Sequence, residues 1–481
     1  MCGIVGIIGT APVAERMVMA LKRLEYRGYD SAGIATVHED VLERRRARGK
    51  LVNLEHKLAD NDLFGHTGIG HTRWATHGAP TEENAHPHVA GKVGVVHNGI
   101  IENFQELRDE LEKDGYLAQT ETDTEVVALL VTREMDGGRS PEQAVGHVLT
   151  RLRGAFGLAL VFAGHPDMII AARRGSPLAI GYGEDEVYLG SDAYALAPFT
   201  SRVAYLEDGD WAVLTSRGVT IRDSAGNEVE RAVQTSAASA NMVDKGNHRH
   251  FMAKEIHEQP ETIGHVLGHY LDLSKGTARL SEDLPFDFRD MKRVTIASCG
   301  TAYLAASVAR YWFEKYARLP VDVDIASEFR YREPPLEKGG LSMFISQSGE
   351  TADTLAALRY SAGQGQHVAS VVNVPESSIA RESDVVFPTL CGPEIAVAST
   401  KALTSQLTLL ASLAVAAGRA RNVLSEEEEQ ELVGALLHLP SAVSLALQCE
   451  QAASRIATSL SRVSDVLYLG RGPMFPIALE G

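Results

Sequence analysis

A change of hydrophobic period part-way along this chain limits its architecture more than any other feature. Through about residue 220 the apolar segments are short and end on turn signals. Residues 157–162, the run Gly164-His165-Pro166-Asp167 and residues 168–172 read as strand, turn and strand. That spacing predicts antiparallel sheets. Helices are expected over residues 11–24, with Pro12 near the first turn, and over residues 104–113 behind Asn103 as a cap. The front half therefore reads as α+β. Past about residue 250 the pattern alternates: strand 294–297, helix 303–317, strand 321–325, strand 341–345, helix 351–362, strand 368–372. This is the pattern of a doubly wound, parallel α/β sheet.

Residues 223–250 are polar and small, Thr235-Ser236-Ala237-Ala238-Ser239-Ala240 among them, and read as a linker with the domain boundary near Asn241. At about 100 to 200 residues per domain, 481 residues suggest about three domains. A faint repeat supplies the third. Val294-Thr295-Ile296-Ala297-Ser298-Cys299-Gly300 and Val466-Leu467-Tyr468-Leu469-Gly470-Arg471-Gly472 both run from apolar strand into glycine turn, with helical stretches over 401–460 between them. The expected division is a front domain over 1–222, the linker over 223–250, an α/β domain with a helical flank over 251–435, and the start of a second α/β domain over 436–481. That second copy stops at Glu480-Gly481 a few residues into a helix, so the chain reads as C-terminally truncated.

Acids outnumber bases 63 to 46, and the net charge of −17 makes an extended contact with nucleic acid repulsive. The run Arg44-Arg45-Arg46 is diluted by Glu39, Asp40 and Glu43 and reads as a solvated segment. Small anionic substrates remain allowed, because hydroxyls and helix N-termini bind them without net positive charge. The cysteines, Cys2, Cys299, Cys391 and Cys449, are too scattered for a zinc pattern or a disulfide framework. A reducing cytosol fits them. No basic region precedes the apolar start, and no run is expected to reach the roughly 18 apolar residues that cross a bilayer.

Cys2 is the most informative single residue. Once Met1 is removed, it carries a thiol nucleophile and a free α-amine together. The amine has a reference pKa of about 7.7 to 8.0, so part of it is neutral near pH 7 and can accept the thiol proton. Nucleophile and base then need no separate dyad. Read with Arg73-Trp74-Ala75-Thr76-His77-Gly78, His97-Asn98-Gly99 and Glu121-Thr122-Asp123-Thr124-Glu125, the start Cys2-Gly3-Ile4-Val5-Gly6 closely resembles the class II glutamine amidotransferases. The resemblance implies an N-terminal-nucleophile hydrolase sandwich of αββα layers for the front domain.

Chemistry explains these residue types. Attack on a side-chain amide builds negative charge on its oxygen, and fixed donors where that charge develops are worth about 3 kcal/mol each. The Asn98 amide and the Gly99 N–H fit that task. Arg73 can grip the α-carboxylate of glutamine in a fork and Asp123 can pair with its α-ammonium. Trp74, Thr76 and His77 complete the glutamine-contacting set that the resemblance implies. Plainer alternatives stay open: Asn98-Gly99 is also a hairpin signal, and Thr122 to Glu125 a capping box. Five histidines, His71, His77, His86, His88 and His97, tempt a metal reading. Acidic partners at ligand spacing are missing and Pro87 would distort a shared strand, so no metal is expected.

Met343-Phe344-Ile345-Ser346-Gln347-Ser348-Gly349-Glu350-Thr351 reads as strand, hydroxyl-rich turn and helix start, a compact site for a phosphate monoester. Cys299-Gly300-Thr301 and Val397-Ala398-Ser399-Thr400-Lys401 place further hydroxyls at what look like equivalent turns. Simple N-capping is the plainer alternative. The set resembles the sugar isomerase (SIS) domain, and behind the amidotransferase signature it resembles the family of glutamine:fructose-6-phosphate aminotransferases. That resemblance spans the chain, including Lys245-Gly246 and Arg249-His250-Phe251-Met252-Ala253-Lys254-Glu255-Ile256.

It implies transfer of the glutamine amide nitrogen to fructose 6-phosphate, giving glucosamine 6-phosphate and glutamate, the first step of hexosamine synthesis. A cytoplasmic homodimer without metal or organic cofactor is implied, with no nucleic-acid or membrane partner. Thr301, Ser346, Gln347, Ser348, Thr351, Val397 and Ser399 would contact the sugar phosphate. Ala302 stands where many relatives have serine. The family's sugar-opening histidine, isomerase glutamate and Schiff-base lysine are expected beyond Gly481, so residues 1–481 alone are expected to act at most as a glutaminase. Two other readings remain at this point: another class II amidotransferase, and a sugar-phosphate-sensing protein. The Ser-Gln-Ser-Gly-Glu-Thr turn weighs against the first, and Cys2, Arg73, Asn98 and Asp123 weigh against the second.

Overall fold

The computed structural model describes residues 2–25, 28–75, 77–236, 245, 247–281 and 283–481. The chain divides into two compact units, Met1–Met242 and Val243–Gly481. The first contains strands β1 (Gly3–Ile8), β2 (Ser31–His38), β3 (Val41–Arg48), β4 (Thr67–Arg73), β5 (His88–Ala90), β6 (Val93–Ile101), β7 (Gly154–Phe162), β8 (His165–Arg174), β9 (Ala179–Tyr182), β10 (Val187–Gly190), β11 (Arg202–Tyr205), β12 (Trp211–Thr215), β13 (Gly218–Arg222), β14 (Glu228–Val229) and β15 (Gln234–Thr235). Its helices are α1 (Ala14–Lys22), α2 (Leu51–Asp60), α3 (Phe104–Lys113), α4 (Thr124–Asp136), α5 (Pro141–Leu149) and α6 (Ala193–Leu196).

Two antiparallel sheets form the centre, in the orders β15-β11-β9-β10-β1-β4-β2-β3 and β14-β13-β12-β8-β7-β6-β5. Period-2 alternation assigns the residues of β1 to two cores. Ile4 and Ile8 pack with Ile69, Val96, Ala159 and Ile169 between the sheets. Val5 and Ile7 pack with Met17, Leu21, Leu51 and Leu54 of α1 and α2. On the far side Val95, Leu158 and Leu160 meet Val126, Leu130, Ala144 and Leu107 of α4, α5 and α3. The layers are helix, sheet, sheet, helix.

Three local expectations change. The β7–β8 hairpin turns at Ala163-Gly164, and His165-Pro166-Asp167 lies in β8, because the register shifts at Val161/Phe162 and absorbs the proline there. Asn103 precedes α3 without capping it; its side chain instead bridges Arg151 O and Arg153 N. Part of the segment read as linker is sheet, since β14 and β15 add to the outer strands β13 and β11. The domain boundary expected near Asn241 falls outside the described residues.

The second unit opens with α7 (Phe251–Tyr270) and the small hairpin β16 (Leu271–Asp272) and β17 (Thr277–Ala278). Its sheet is parallel, with β18 (Val294–Ser298), β19 (Val321–Ile325), β20 (Leu341–Ser346), β21 (His367–Val372) and β22 (Val385–Pro388) in the order β19-β18-β20-β21-β22. Helices α8 (Gly300–Trp312), α9 (Ala326–Arg332), α10 (Ala352–Gly363), α11 (Ser378–Arg381) and α12 (Lys401–Ala420) cover both faces. Ala305, Ala309, Leu409 and Leu413 of α8 and α12 pack on one face, and Phe329, Leu355, Leu358 and Ile379 of α9 to α11 on the other. Strand order reverses between β18 and β20, where open α/β sheets bind ligands.

Beyond α12 come α13 (Glu426–Leu437), α14 (Leu439–Leu447), α15 (Glu450–Leu460) and α16 (Met474–Glu480). The strand expected over Val466 to Leu469 is absent. Leu467 and Leu469 are 82% and 84% exposed, and no described strand lies beside them to supply ladder hydrogen bonds. Contrary to expectation, the run Glu426–Leu447 is long and apolar enough by composition to cross a membrane. It breaks into two helices at His438, and α13 buries Glu429, which accepts the Ala278 N–H at 3.0 Å.

Candidate active site

β1 lies between β4 and β10, with Ile4 opposite His71 and Val5 opposite Gly190. This pairing holds half-buried Cys2 at the end of a central strand. The Trp74 N–H donates to Cys2 Sγ at 3.2 Å, and the thiol reaches Trp74 O at 3.4 Å. Burial pushes the Cys2 thiol up from its ordinary range. The sulfur is therefore protonated near neutral pH and needs a base to become a nucleophile.

Asn98 and Gly99 come from the other sheet, inside β6, opposite Gly157 and Phe156 of β7. The hairpin alternative is thereby excluded, since the dipeptide is strand interior rather than turn. Gly99 has φ +126, and a Cβ there would stand 2.0 Å from Ala155 O, so glycine is required by both conformation and space. β5 pairs with β6 only as far as Val95. Beyond it one edge of β6 has no partner strand among the described residues. The Ile101 N–H on that edge donates to Asp123 Oδ2 at 2.8 Å, and Gly99 lies two residues earlier on the same strand. The Asn98 amide donates to Cys2 O at 3.1 Å, and its oxygen receives His71 Nε2–H at 3.0 Å.

Asp123 is buried at the start of α4, yet its carboxylate caps no helical N–H. The capping box forms only in half: Thr122 Oγ1 accepts the Glu125 N–H at 3.4 Å. The Glu125 carboxylate accepts from Gln119 N, Thr120 N and Thr120 Oγ1 instead of reaching back to Thr122. His97 Nδ1 lies 3.8 Å from Asp123 Oδ2. Burial lowers the His97 pKa, so the imidazole is neutral and the contact is no ion pair near pH 7.

The Arg73 fork is occupied by the loop that follows it. Its guanidinium donates to His77 O, and to Gly78 O and Ala79 O at 3.3 Å each. From the opposite side the Glu121 carboxylate accepts from Ala79 N at 3.1 Å and Asn84 Nδ2 at 2.9 Å. Asn84 carried no motif signal, and Glu121, which opens the run Glu121-Thr122-Asp123-Thr124-Glu125, had no role read for it there. Trp74 is exposed and meets the Tyr29 ring edge-on at 5.4 Å. His77 stands edge-on to Phe104 at 5.6 Å. Thr76 lies outside the described residues.

The remaining histidines form a buried group. His71 and His86 rings lie 4.2 Å apart and His86 and His88 rings 4.8 Å apart. Thr124 Oγ1 joins His86 to His97 at 2.9 and 3.0 Å. Burial holds all four below the usual histidine range, His71 down to about 3. Among the described residues no cluster of three or more His, Cys, Asp or Glu side chains is arranged to hold a metal ion.

In the second unit, Ser298 and Ile345 are register partners, so the turns after β18 and β20 are neighbours at the switch point. The Ser346 hydroxyl accepts the Gly349 N–H at 3.0 Å and meets Thr351 Oγ1 at 3.0 Å; Ser348 Oγ accepts the Glu350 N–H at 3.2 Å. Thr351 precedes α10 without a side-chain cap bond, so the first turn of α10 keeps its N–H groups uncapped by side chains. Gly349, at φ +65, is packed so closely that a Cβ would stand 1.9 Å from Ser377 Oγ. Gln347 is half-buried in the same turn and accepts the Asn373 N–H on its carbonyl.

The turns are not equivalent, contrary to the sequence reading. Thr301 Oγ1 donates to Glu480 Oε1 at 2.7 Å. The start of α12 already holds a carboxylate: Glu394 accepts from Thr400 N, Ala402 N and Ser399 Oγ at 2.9, 3.0 and 3.0 Å. Val397 is 69% exposed. Glu255 of α7, buried and with its pKa raised by that burial, accepts the Ile395 and Ala396 N–H groups at 2.6 and 3.2 Å and so pins the same loop.

The glutamine amidotransferase domain family matches residues 71–198, and the SIS domain family matches residues 287–416. Over all 481 residues the chain is 61% identical to the glutamine–fructose-6-phosphate aminotransferase (isomerizing) of Bradyrhizobium diazoefficiens, covering 79% of that protein. It belongs to this aminotransferase family. The Zymomonas mobilis member is 56% identical over the same span, again with 79% of its length covered. The C-terminal domain of glucosamine-fructose-6-phosphate aminotransferase from Francisella tularensis is 39% identical over 50% of this chain and 67% of that one, with a TM-score of 0.48. In this aminotransferase the matched stretches lie inside the two units, 71–198 in the one that carries Cys2 and 287–416 in the one that carries Ser346.

Proposed function

We propose that this chain serves the transfer of the amide nitrogen of glutamine to fructose 6-phosphate, which yields glutamate and glucosamine 6-phosphate, by releasing that nitrogen at Cys2, the nucleophile of the first half-reaction, and by binding the sugar phosphate at the Ser346 turn. After loss of Met1 the Cys2 α-amine takes the thiol proton and the thiolate attacks the side-chain carbonyl carbon of glutamine. The resulting oxyanion receives the Asn98 Nδ2–H and Gly99 N–H. Collapse expels ammonia, which leaves with the proton held on the α-ammonium, and water then hydrolyses the thioester to glutamate. The observation that carries this reading is the Asn98 amide aimed at Cys2 beside the open β6 edge at Gly99.

Arg73 exchanges its loop carbonyls for the glutamine α-carboxylate, Asp123 takes the α-ammonium, and Trp74, Thr76 and His77 line the side. In the second unit the uncapped start of α10 and the hydroxyls of Ser346, Ser348 and Thr351 receive the phosphate. Gln347, Thr301, Val397 and Ser399 contact the sugar. The protein acts as a cytoplasmic homodimer without a cofactor.

Two measurements test this on the full chain: glutamate release from glutamine, and fructose 6-phosphate binding by calorimetry. Cys2→Ala is expected to abolish release while leaving sugar-phosphate affinity intact. The wild-type kcat/KM for release should rise with pH through about 7 to 8 as the α-amine loses its proton. Glutamine hydrolysis by Cys2→Ala, or by protein that retains Met1 on mass spectrometry, overturns the mechanism.

A further inference from the structure

We infer that His71 is the positioning residue that fixes which end of the Asn98 amide faces Cys2, reading its own tautomer from the His97 carbonyl. The inference rests on Asn98 as an oxyanion donor and adds the device that aims it. Amide oxygen and nitrogen have nearly the same shape, so an asparagine keeps one orientation only where its neighbours distinguish donor from acceptor.

Here they do. His71 Nε2 lies 3.0 Å from His97 O and 3.0 Å from the Asn98 amide. A backbone carbonyl only accepts, so the hydrogen must sit on Nε2. Nδ1 is then bare, and it has no hydrogen-bond partner among the described residues. An Nε2–H can meet only the oxygen of Asn98, which turns Nδ2 toward Cys2. One amide hydrogen goes to Cys2 O at 3.1 Å and the second remains for the substrate. Turned over, Asn98 would set N–H against N–H at His71 and oxygen against oxygen at Cys2. The His86 ring, tilted against it with centroids 4.2 Å apart, braces the imidazole.

The bond also crosses between layers. His71 lies on β4, beside the strand that carries Cys2, whereas Asn98 lies on β6 of the other sheet. One imidazole thus registers the nucleophile's sheet against the donor's sheet, and an error of about 1 Å there costs about 100-fold in rate.

The test measures glutamine hydrolysis by His71→Leu, His71→Gln, Asn98→Ala and the Asn98→Ala/His71→Leu double variant, with iodoacetamide alkylation of Cys2 as a reaction that needs the thiolate but no oxyanion donor. His71→Leu is expected to lower kcat about 10- to 100-fold with little change in KM and an unchanged alkylation rate. His71→Gln, which can place an amide nitrogen where Nε2 stands, should restore most of the rate. The double variant should be no slower than Asn98→Ala. Wild-type kcat in His71→Leu, or losses that multiply in the double variant, overturns the inference. If His71→Leu does not fold, His71→Gln against His71→Asn decides, because Asn puts its nitrogen nearer Nδ1; equal rates for the two overturn it. Asn98→Ala at wild-type kcat removes the oxyanion reading itself, whereas a slow Asn98→Ala beside a fast His71→Leu removes only the role of His71.

Discussion

Replacing Gly99 by alanine tests whether the donor strand must approach β7 as closely as it does. The added Cβ would stand 2.0 Å from Ala155 O and 2.8 Å from Ala155 C, where ordinary carbon-oxygen contacts begin at about 3.3 Å. β6 and β7 must therefore part locally by more than about 1 Å. The backbone also sits at φ +126, which costs an L-residue about 1 to 3 kcal/mol. Forcing a methyl into packed structure adds about 1 to 3 kcal/mol. The sum, about 2 to 6 kcal/mol, corresponds to a Tm loss of about 4 to 24 °C in a unit of this size. Because Asn98 and Gly99 move with the strand, kcat for glutamine hydrolysis should fall about 100-fold or more. Calorimetry and a coupled glutamate assay read the two effects separately. A Gly99→Ala protein with Tm within about 2 °C of wild type and full kcat would refute the close-approach argument.

Two further outcomes follow from other parts of the chain. Ser346→Ala combined with Ser348→Ala should weaken fructose 6-phosphate binding about tenfold or more while glutamine hydrolysis without sugar persists; unchanged calorimetric affinity would return that turn to a purely structural role. Glu186, held down to about 2 by a two-pronged bond to Arg16 with help from Tyr188 and Thr10, contributes stability that is present above its ordinary value of 4.5 and is lost as pH falls toward 2. Glu186→Gln should flatten that acid limb relative to wild type, and parallel unfolding curves for the two proteins between pH 5 and about 2 would show that the pair contributes nothing.

Periodicity made the layers legible. Alternation along β1 and β7, and strand-helix alternation from Val294 to Val372, follow from which faces are buried, and burial is written directly in residue type. Contacts that depend on backbone groups were less visible. Asn98-Gly99 read equally well as a turn, because its strand setting depends on β7 approaching a glycine from a distant part of the chain. The Asn103 cap failed because its side chain found backbone partners at Arg151 and Arg153, and the Thr122 to Glu125 box formed only in half because the Glu125 carboxylate bonds Gln119 and Thr120 just ahead of it. The presumed equivalence of three helix starts broke at α12, where Glu394, six residues beyond the end of β22, had already filled the site. His71 carried no sign of its task, since neither its neighbour His97 O nor the orientation of Asn98 is encoded in local pattern.

The position of β1 has a consequence for synthesis. The residues of β1 are made before both of their sheet neighbours, Thr67–Arg73 on one side and Val187–Gly190 on the other. Before those later segments emerge, the opening strand has no neighbours and the thiol has no Asn98 or Gly99 to work with. Chains are made from the N-terminus onward and domains fold as units. A nascent chain therefore carries this thiol early but cannot consume glutamine with it until nearly the whole front unit has been translated and closed around it.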